Sequence, residues 1–253
     1  KAAEHLLRDM VMTNPNIYGC ALAFEPGSGG PERRAPYYFR GADGQIRHMD
    51  LHDYVWADWY AIPKRMGRPV WSEPYYDKGG GETIMCTFSA PFYRATSGGR
   101  VFDGVVTADL QLEHLKRIVS NITLQKSGYA FLISQNGQFI SHPNPACVLR
   151  ESIFSIAEEK GDEKLRKLGM DMVRGGETQE FVHLDSALMG RPSLLHYAPV
   201  GTCGWSVGVV FPEEEIADKV DSLWWRILAI GSIFFFIMLG VIFWVTVRAT
   251  RPI

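Results

Sequence analysis

The spacing of apolar positions changes along this chain, and each change marks an element. Ala3, Leu6, Leu7, Met10 and Val11 share one face at helical spacing, so the chain opens on an amphipathic helix. Asn14-Pro15-Asn16 stops it, and residues 17–24 form an apolar run of strand length. A connection rich in Gly and Pro (25–36) leads to two short runs, 37–40 and 45–49, which flank the hairpin signal Gly41-Ala42-Asp43-Gly44. Residues 53–60 read as a short helix or turn carrying Tyr54, Trp56, Trp59 and Tyr60. Residues 70–76 are extended, with a break at Pro74. Two longer strands, 82–93 and 101–108, meet at Gly98-Gly99, after which Leu110, Leu112, Leu115, Ile118, Val119 and Ile122 return to helical spacing.

The second half repeats this order. Residues 129–134 and 138–141 flank Asn136-Gly137, the strongest short hairpin signal. Residues 153–159 and 164–173 read as helices, and 177–184, 194–199 and 205–211 as strands. Pro212 then opens a helix from a favourable first-turn position. Gly104-Val105-Val106 and Gly208-Val209-Val210 each enter a last apolar strand that runs straight into a helix. This weak internal repeat predicts two copies of one α+β module, each an antiparallel sheet with helices on one face.

Residues 227–247 carry neither charge nor proline. As a helix at 1.5 Å per residue they reach roughly 30 Å, the thickness of a bilayer's hydrocarbon core. Trp224, Trp225 and Trp244 sit near the edges, where interfacial aromatics belong. Arg248 and Arg251 follow at once, while Glu213, Glu214, Glu215, Asp218 and Asp221 crowd the other flank. The positive-inside rule puts the Arg248 end in the cytoplasm and residues 1–223 outside it, on the periplasmic side of an inner membrane. An exported region without an export signal at its start reads as part of a longer receptor-like chain.

Charge and composition narrow the function. A net charge of −2 argues against nucleic acid, which selects for a strong basic patch. Cys20, Cys86, Cys147 and Cys203 match no zinc spacing and sit in or beside apolar runs, which favours buried free thiols. The seven histidines are scattered, and neither a metal nor a cofactor is expected. There is no Gly-x-Ser-x-Gly elbow and no His-Glu-x-x-His, so the chain does not read as an enzyme. The glycine runs at 27–30 and 79–81 lack a following Lys-Ser/Thr pair and read as loops.

The candidate chemistry lies between Tyr54 and Asp109. Tyr54, Trp56, Trp59, Tyr60 and Tyr75 offer aromatic faces, and Asp77 and Asp109 offer carboxylates. That combination suits a cationic ligand: rings attract an ammonium group and carboxylates pair with it. Each residue also has a plain structural reading. The aromatics can be core, Asp109 a helix N-cap and Asp77 a turn residue.

Taken in order, WADWYAIPKRMGRPVWSEPYYD, TFSAPFY, FDGVVTADLQLEHL, GYAFLISQNGQFISHPN and GWSVGVVFPEEEI resemble the double Cache sensory region of bacterial transmembrane receptors. The resemblance implies two PAS-like modules stacked along a long N-terminal helix, and a last helix that enters the membrane. It also implies boundaries: the end of the long helix at 1–14, a membrane-distal, ligand-binding module at 15–122, a proximal module at 123–222, a transmembrane helix at 223–247 and a linker at 248–253. Arg251-Pro252 resembles the start of a HAMP linker. In amino-acid-binding members an Arg-x-Trp-Tyr, a Tyr-x-Asp and a later Asp line the distal pocket. Here these map to Trp59-Tyr60, to Tyr75 and Asp77, and to Asp109, with Ala57 where the arginine stands. The amine-binding half is kept and the usual carboxylate clamp is missing, unless Lys64, Arg65 or Arg68 replaces it.

The expectation is an extracytoplasmic sensor that binds an amine-containing or amino-acid-like small molecule and signals through the membrane helix. Homodimerisation is implied by the resemblance. A serine phosphatase (whose sensor endings GWSVGVVFPEEEI resembles), a histidine kinase, a chemotaxis transducer or a cyclic-dinucleotide enzyme is the kind of output found behind such sensors. The rival readings are a membrane-anchored binding module without signalling output and an anchored hydrolase; the missing nucleophile–base pattern counts against the second.

Overall fold

The computed structural model describes residues 2–27, 34–122, 127–185, 187–201 and 203–249. The opening periodicity forms α1 (Ala2–Thr13). A first sheet holds β1 (Gly19–Phe24), β2 (Pro36–Arg40), β3 (Ile46–Asp50), β4 (Val70–Trp71), β5 (Tyr75–Tyr76), β6 (Ile84–Thr96) and β7 (Gly99–Gln111). Its order is β3-β2-β1-β7-β6-β4, with β5 also paired to β6. The aromatic segment becomes a 3-10 turn, Tyr54–Trp56, and then α2 (Asp58–Met66). Gly67 ends α2 in the left-handed conformation, φ 63°, which costs glycine nothing.

After α3 (Leu112–Ser120), a second sheet holds β8 (Tyr129–Ile133), β9 (Phe139–Ser141), β10 (Val182–Leu184), β11 (Ser193–Val200) and β12 (Trp205–Pro212). Two helices, α4 (Ile153–Lys160) and α5 (Glu163–Val173), lie between β9 and β10. The order is β10-β11-β12-β8-β9, antiparallel throughout. Set beside the first sheet, β9-β8-β12-β11-β10 matches β2-β1-β7-β6-β4. The sequence repeat is therefore one topology used twice.

Helices cover both faces of each sheet, not one as the sequence suggested. Successive strand residues point to opposite faces. Cys20, Leu22, Val106 and Ala108 pack with Leu7 and Val11 of α1, while their neighbours Ala23 and Val105 pack with Tyr54 and Tyr60. In the second sheet Ala130, Leu132 and Trp205 pack with Leu112, Leu115 and Val119 of α3. Phe131, Ile133, Leu195 and Val210 face Ile153, Ala157, Leu165 and Met172 of α4 and α5. Strands covered on both sides read as continuous apolar runs, which hides the second layer of helix from the pattern.

Other boundaries moved as well. The run 177–184 yields strand only at Val182–Leu184, Leu110 belongs to β7, and Pro212 closes β12 instead of opening the next helix. The glycine-rich stretch 28–30 and the HAMP-like Arg251-Pro252 lie outside the described residues.

The modules are joined by apolar packing. α3 buries Leu112, Leu115 and Val119 in a cluster that holds Cys86 of β6 together with Ala130, Ile140 and Trp205 of the second sheet and Cys203 of its β11–β12 turn. Trp71 of β4 meets Trp205 of β12 with ring centroids 5.2 Å apart. All four cysteines are free thiols.

From β12 the chain enters α6 (Glu214–Ala249), 36 residues without a break and about 54 Å long at 1.5 Å per residue. Its Trp224–Thr246 stretch has mean hydropathy 2.6 and none of it is buried against the rest of the chain. It is long and apolar enough to cross a membrane. The Ser232 and Thr246 hydroxyls donate to the carbonyls of Leu228 (2.7 Å) and Ile242 (2.8 Å), so these polar side chains are satisfied inside the helix.

Candidate functional site

The face of the first sheet beneath α2 carries small and polar residues where a core would carry large ones. β6 presents Thr87 and Ser89, and β7 presents Thr107 and Asp109, all buried. Register does this: Asp109 pairs with Thr87 on one side and with Gly19 on the other. Asp109 is only 3% exposed. Its Oδ1 accepts from Thr87 Oγ1 at 2.8 Å, and since a hydroxyl has one proton to give, Tyr75 Oη must donate to Thr87 at 2.7 Å. Asp109 is not a helix cap. The N-cap of α3 is Gln111, whose side chain makes no capping bond.

Asp109, Asp77, Tyr75 and Trp59 line a small cavity with Ala21, Tyr37, Leu51, Thr87 and Thr107. Its volume is about 10 Å³, room for one water-sized group, and neither Lys nor Arg lines it. Burial pushes the Asp109 carboxyl up to about 7, and the charge of Asp77 adds to this. The Thr87 bond and the nearby Tyr37 hydroxyl act the other way. Tyr37 lies over Gly19, where only a missing side chain leaves room for its ring. Its buried hydroxyl meets no partner at hydrogen-bond geometry, and burial followed by the Asp109 charge keeps it protonated.

Asp77 does two things. Its Oδ2 accepts from the Gly81 amide at 2.6 Å, as a turn residue would, and burial raises its pKa. Glu82 Oε1 takes the Gly79 amide at 2.7 Å. Those glycine amides are thus committed to carboxylates, and the loop is no phosphate cradle.

Four residues of this cavity, Leu51, Trp59, Tyr75 and Asp77, also line a much larger cleft of about 910 Å³, so they form the wall between the two. The cleft carries the carboxylates of Asp50, Asp53, Asp58, Glu73 and Asp77 against the permanent cations Arg68 and Lys78. Its potential therefore favours cations. Ala57 lines it too, so the missing arginine is missing from the cleft wall. Of the three substitutes considered, Arg68 lines the cleft. Lys64 is held by Glu25 Oε1 at 2.6 Å, and Arg65 is not among the lining residues.

The structure thus brings Trp59, Tyr75, Asp77 and Asp109 together and sets the other expected residues apart. Tyr54 lines the cleft only, its hydroxyl donating to the Phe24 carbonyl at 2.6 Å. Tyr60 is fully buried and lines neither space; its hydroxyl donates to Glu25 Oε2 at 2.6 Å and its ring packs edge-on to Phe102. Successive helix residues are turned about 100° apart, so Trp59 and Tyr60 cannot both face the cavity. Trp56 is 84% exposed and stands away from both spaces. The sequence reading missed Tyr37, Thr87 and Thr107. The available signal was the alternation of polar residues within otherwise apolar strands, Thr87 and Ser89, then Thr107 and Asp109. Among the described residues no three His, Cys, Asp or Glu side chains gather as a metal site would require.

Residues 3–117 match the model of the first PDC sensor domain of proteins like methyl-accepting chemotaxis proteins, and residues 104–217 match a Cache domain. The methyl-accepting chemotaxis protein PctB of Pseudomonas aeruginosa is 33% identical over 65% of this chain and 23% of its own. The chain spans between 23% and 32% of the length of that receptor and of another curated chemoreceptor it matches. The ligand-binding domain of PctB in complex with L-Arg superposes with a TM-score of 0.56 at 18% identity, covering 88% of this chain and 76% of that one. The PctC domain of the same organism, in complex with GABA, gives 0.53 at 22% identity over 82% and 79%. The extracellular domain of mmHK1S-Z3, described as a histidine kinase, gives 0.73 at 26% identity over 88% and 82%. These matched regions are sensor domains and not enzymes. With consecutive sensor-domain matches over residues 3–217 and one sheet topology used twice, the chain belongs to the double Cache family of extracellular sensor regions found in chemoreceptors and histidine kinases.

Proposed function

We propose that this chain senses an amine-containing or amino-acid-like molecule, captured with its ammonium group at Asp109 and Asp77. The observation that carries this is a buried acid facing a water-sized cavity with no cationic side chain in its lining. A buried carboxylate without a countercharge is costly, and an incoming ammonium supplies one. The acid-rich cleft and the aromatic wall of Trp59 and Tyr75 support the same reading, as do PctB with L-Arg and PctC with GABA. With Ala57 in the wall, Arg68 is the group left to meet a ligand carboxylate. The test is isothermal titration calorimetry on the whole chain in nanodiscs with GABA, L-Gln, L-Arg and simple amines. Asp109→Ala is expected to abolish binding; an amine that binds the variant undiminished would remove this assignment.

The connections between elements support a route for the signal. Asp109 lies two residues before the N-cap of α3, α3 packs on β8 and β9, and β12 between β8 and β11 leads into α6. Ligand capture then favours one arrangement of these elements and shifts α6 by about 1–2 Å, the usual scale of helix-shift switches. In this reading residues 15–122 are the distal sensing module, 123–222 the proximal transmitter and 223–247 the inner-membrane helix, working as a homodimer with a cytoplasmic C-terminal side and a HAMP-type linker. Disulfide crosslinking of cysteines placed along residues 220–247 is expected to change when ligand is added. An unchanged pattern at saturating ligand rules the route out.

A further inference from the structure

The amine cleft reaches the proximal module, where Gln135 and Asn136 of the β8–β9 turn and Gly204 of the β11–β12 turn line it. A second hollow spans the same joint with the opposite chemistry. It is an open groove of about 610 Å³ between Ile84 of β6, Leu112 and Lys116 of α3, and Val148, Leu149 and Arg150 of the β9–α4 connection. Its floor is the core that joins the modules: Leu112 and Val148 are buried in that cluster, and Ile84 and Leu149 pack against it. Lys116 and Arg150 are its charged residues, and no Asp or Glu among the described residues lines it. Arg150 is exposed and makes no ion pair among the described residues. Lys116 Nζ lies 3.3 Å from Glu113 Oε2, whose side chain is 75% exposed, and a surface pair of that kind holds its partners weakly. Glu151, the acid beside Arg150, is committed to the start of α4, where its Oε2 accepts from Ser155 Oγ at 2.6 Å.

The wall of this groove is built under strain. Leu149 takes φ 62°, a left-handed conformation that costs a branched residue free energy. It is held from both sides: its N–H donates to the Phe139 carbonyl at 3.0 Å, and its carbonyl accepts from Gln138 Nε2 at 2.9 Å. These bonds secure a turn that packs Leu149 on the apolar floor while the next residue, Arg150, stands in solvent. Backbone outliers secured in this way gather at binding sites.

We propose that this groove is a second ligand site, for a small amphipathic anion: an alkyl chain ending in a carboxylate. The chain lies on Ile84, Leu112, Val148 and Leu149, and the carboxylate meets Lys116 and Arg150. Charge decides the choice of occupant. An alkylammonium would face two cations and no acid. A neutral apolar molecule gains only the floor. An anion with an apolar tail uses both, because ammonium and guanidinium groups pair with a carboxylate while the tail covers apolar surface. The site shares no lining residue with the Asp109 cavity, so it stands whether or not the amine reading does. Its occupant touches β6, α3 and the proximal module together, across the joint between the modules.

Hexanoate, acetate and 1-hexanol test this by calorimetry on the whole chain in nanodiscs, with empty nanodiscs as the blank. Hexanoate is expected to bind. Acetate, which has only the charge, and hexanol, which has only the tail, should each bind about tenfold or more weakly. Arg150→Gln should weaken hexanoate about fivefold, the size of one solvent-facing ion pair. Ala146→Trp, which puts a large ring into the groove, should weaken it about tenfold or more. Both positions are exposed, so both variants should melt with the parent chain. Asp109→Asn should leave hexanoate binding unchanged. Weaker binding in Arg150→Gln and Ala146→Trp, with Asp109→Asn unaffected, supports the site. Hexanoate that does not bind above the blank, hexanol that binds as tightly, or affinity that survives either groove variant overturns it. So does a loss in Asp109→Asn, which would place hexanoate in the amine pocket.

Discussion

The two sheets share a strand order and differ in what fills their inner faces. In the second, Phe131, Ile133, Leu195 and Val210 close the space under α4 and α5, and the Phe131 ring lies over Gly208 where a side chain would collide. In the first, the corresponding layer under α2 holds Ala21, Thr87, Thr107 and Asp109 around a small cavity. The topology therefore makes no pocket by itself. Side-chain volume and polarity at a few inward positions decide whether a module holds a cavity or a packed core.

The comparison breaks most visibly in the packed module. Phe131→Ala is expected to cost about 3–5 kcal/mol of stability, the usual range for a large buried ring, with little change in amine affinity; urea unfolding and calorimetry read the two effects separately. The next effect is at the acid. Asp109→Asn should weaken amine binding about 100-fold, since a charge-assisted bond to a buried partner is lost. Its pH dependence has a definite sign. Asp109 has a folded pKa raised to about 7, so its contribution to stability is fully present below the ordinary carboxylate range and is lost as pH rises toward 7. Amine binding runs the other way, because ammonium pairs with the ionised form. Affinity should rise about tenfold per pH unit up to about 7, then level off, with protons released on binding below that point. Both slopes should vanish in Asp109→Asn; slopes that persist would assign the titration to another group. The smallest change makes the first face more like the second. Ala21→Val fills the cavity with two methyl groups' worth of volume, and should cut affinity about tenfold while costing about 1 kcal/mol in thermal stability. Undiminished binding would show that the ligand stays in the outer cleft.

Much of this was legible in the sequence. The elements, the repeat and the continuous exit helix all appeared as periodicity. Trp59, Tyr75, Asp77 and Asp109 were singled out and do share a cavity. Tyr60 joins that group through the Trp-Tyr motif and Trp56 through its aromatic face; the Tyr60 ring touches Trp59 but lies in the core beneath it, and Trp56, in the 3-10 turn, stands in solvent. Thr87 and Thr107 went unnoticed because a threonine in a strand is ordinary. Only the pairing of β6 with β7 places Thr87 against Asp109. Gln135 and Gly204 stand far along the chain from Asp77, and nothing local connects them to it.

By itself, then, the sequence determined what short-range physics sets: hydrophobic period, turn chemistry, and a span long and apolar enough for a bilayer. The tertiary structure decided what depends on register between distant strands. It chose which side chains face one cavity, removed Asp109 from water and so raised its pKa, and brought turns of the second module to the end of the cleft. Periodicity is written in neighbouring residues, whereas a cavity is the space that residues far apart in the chain fail to fill.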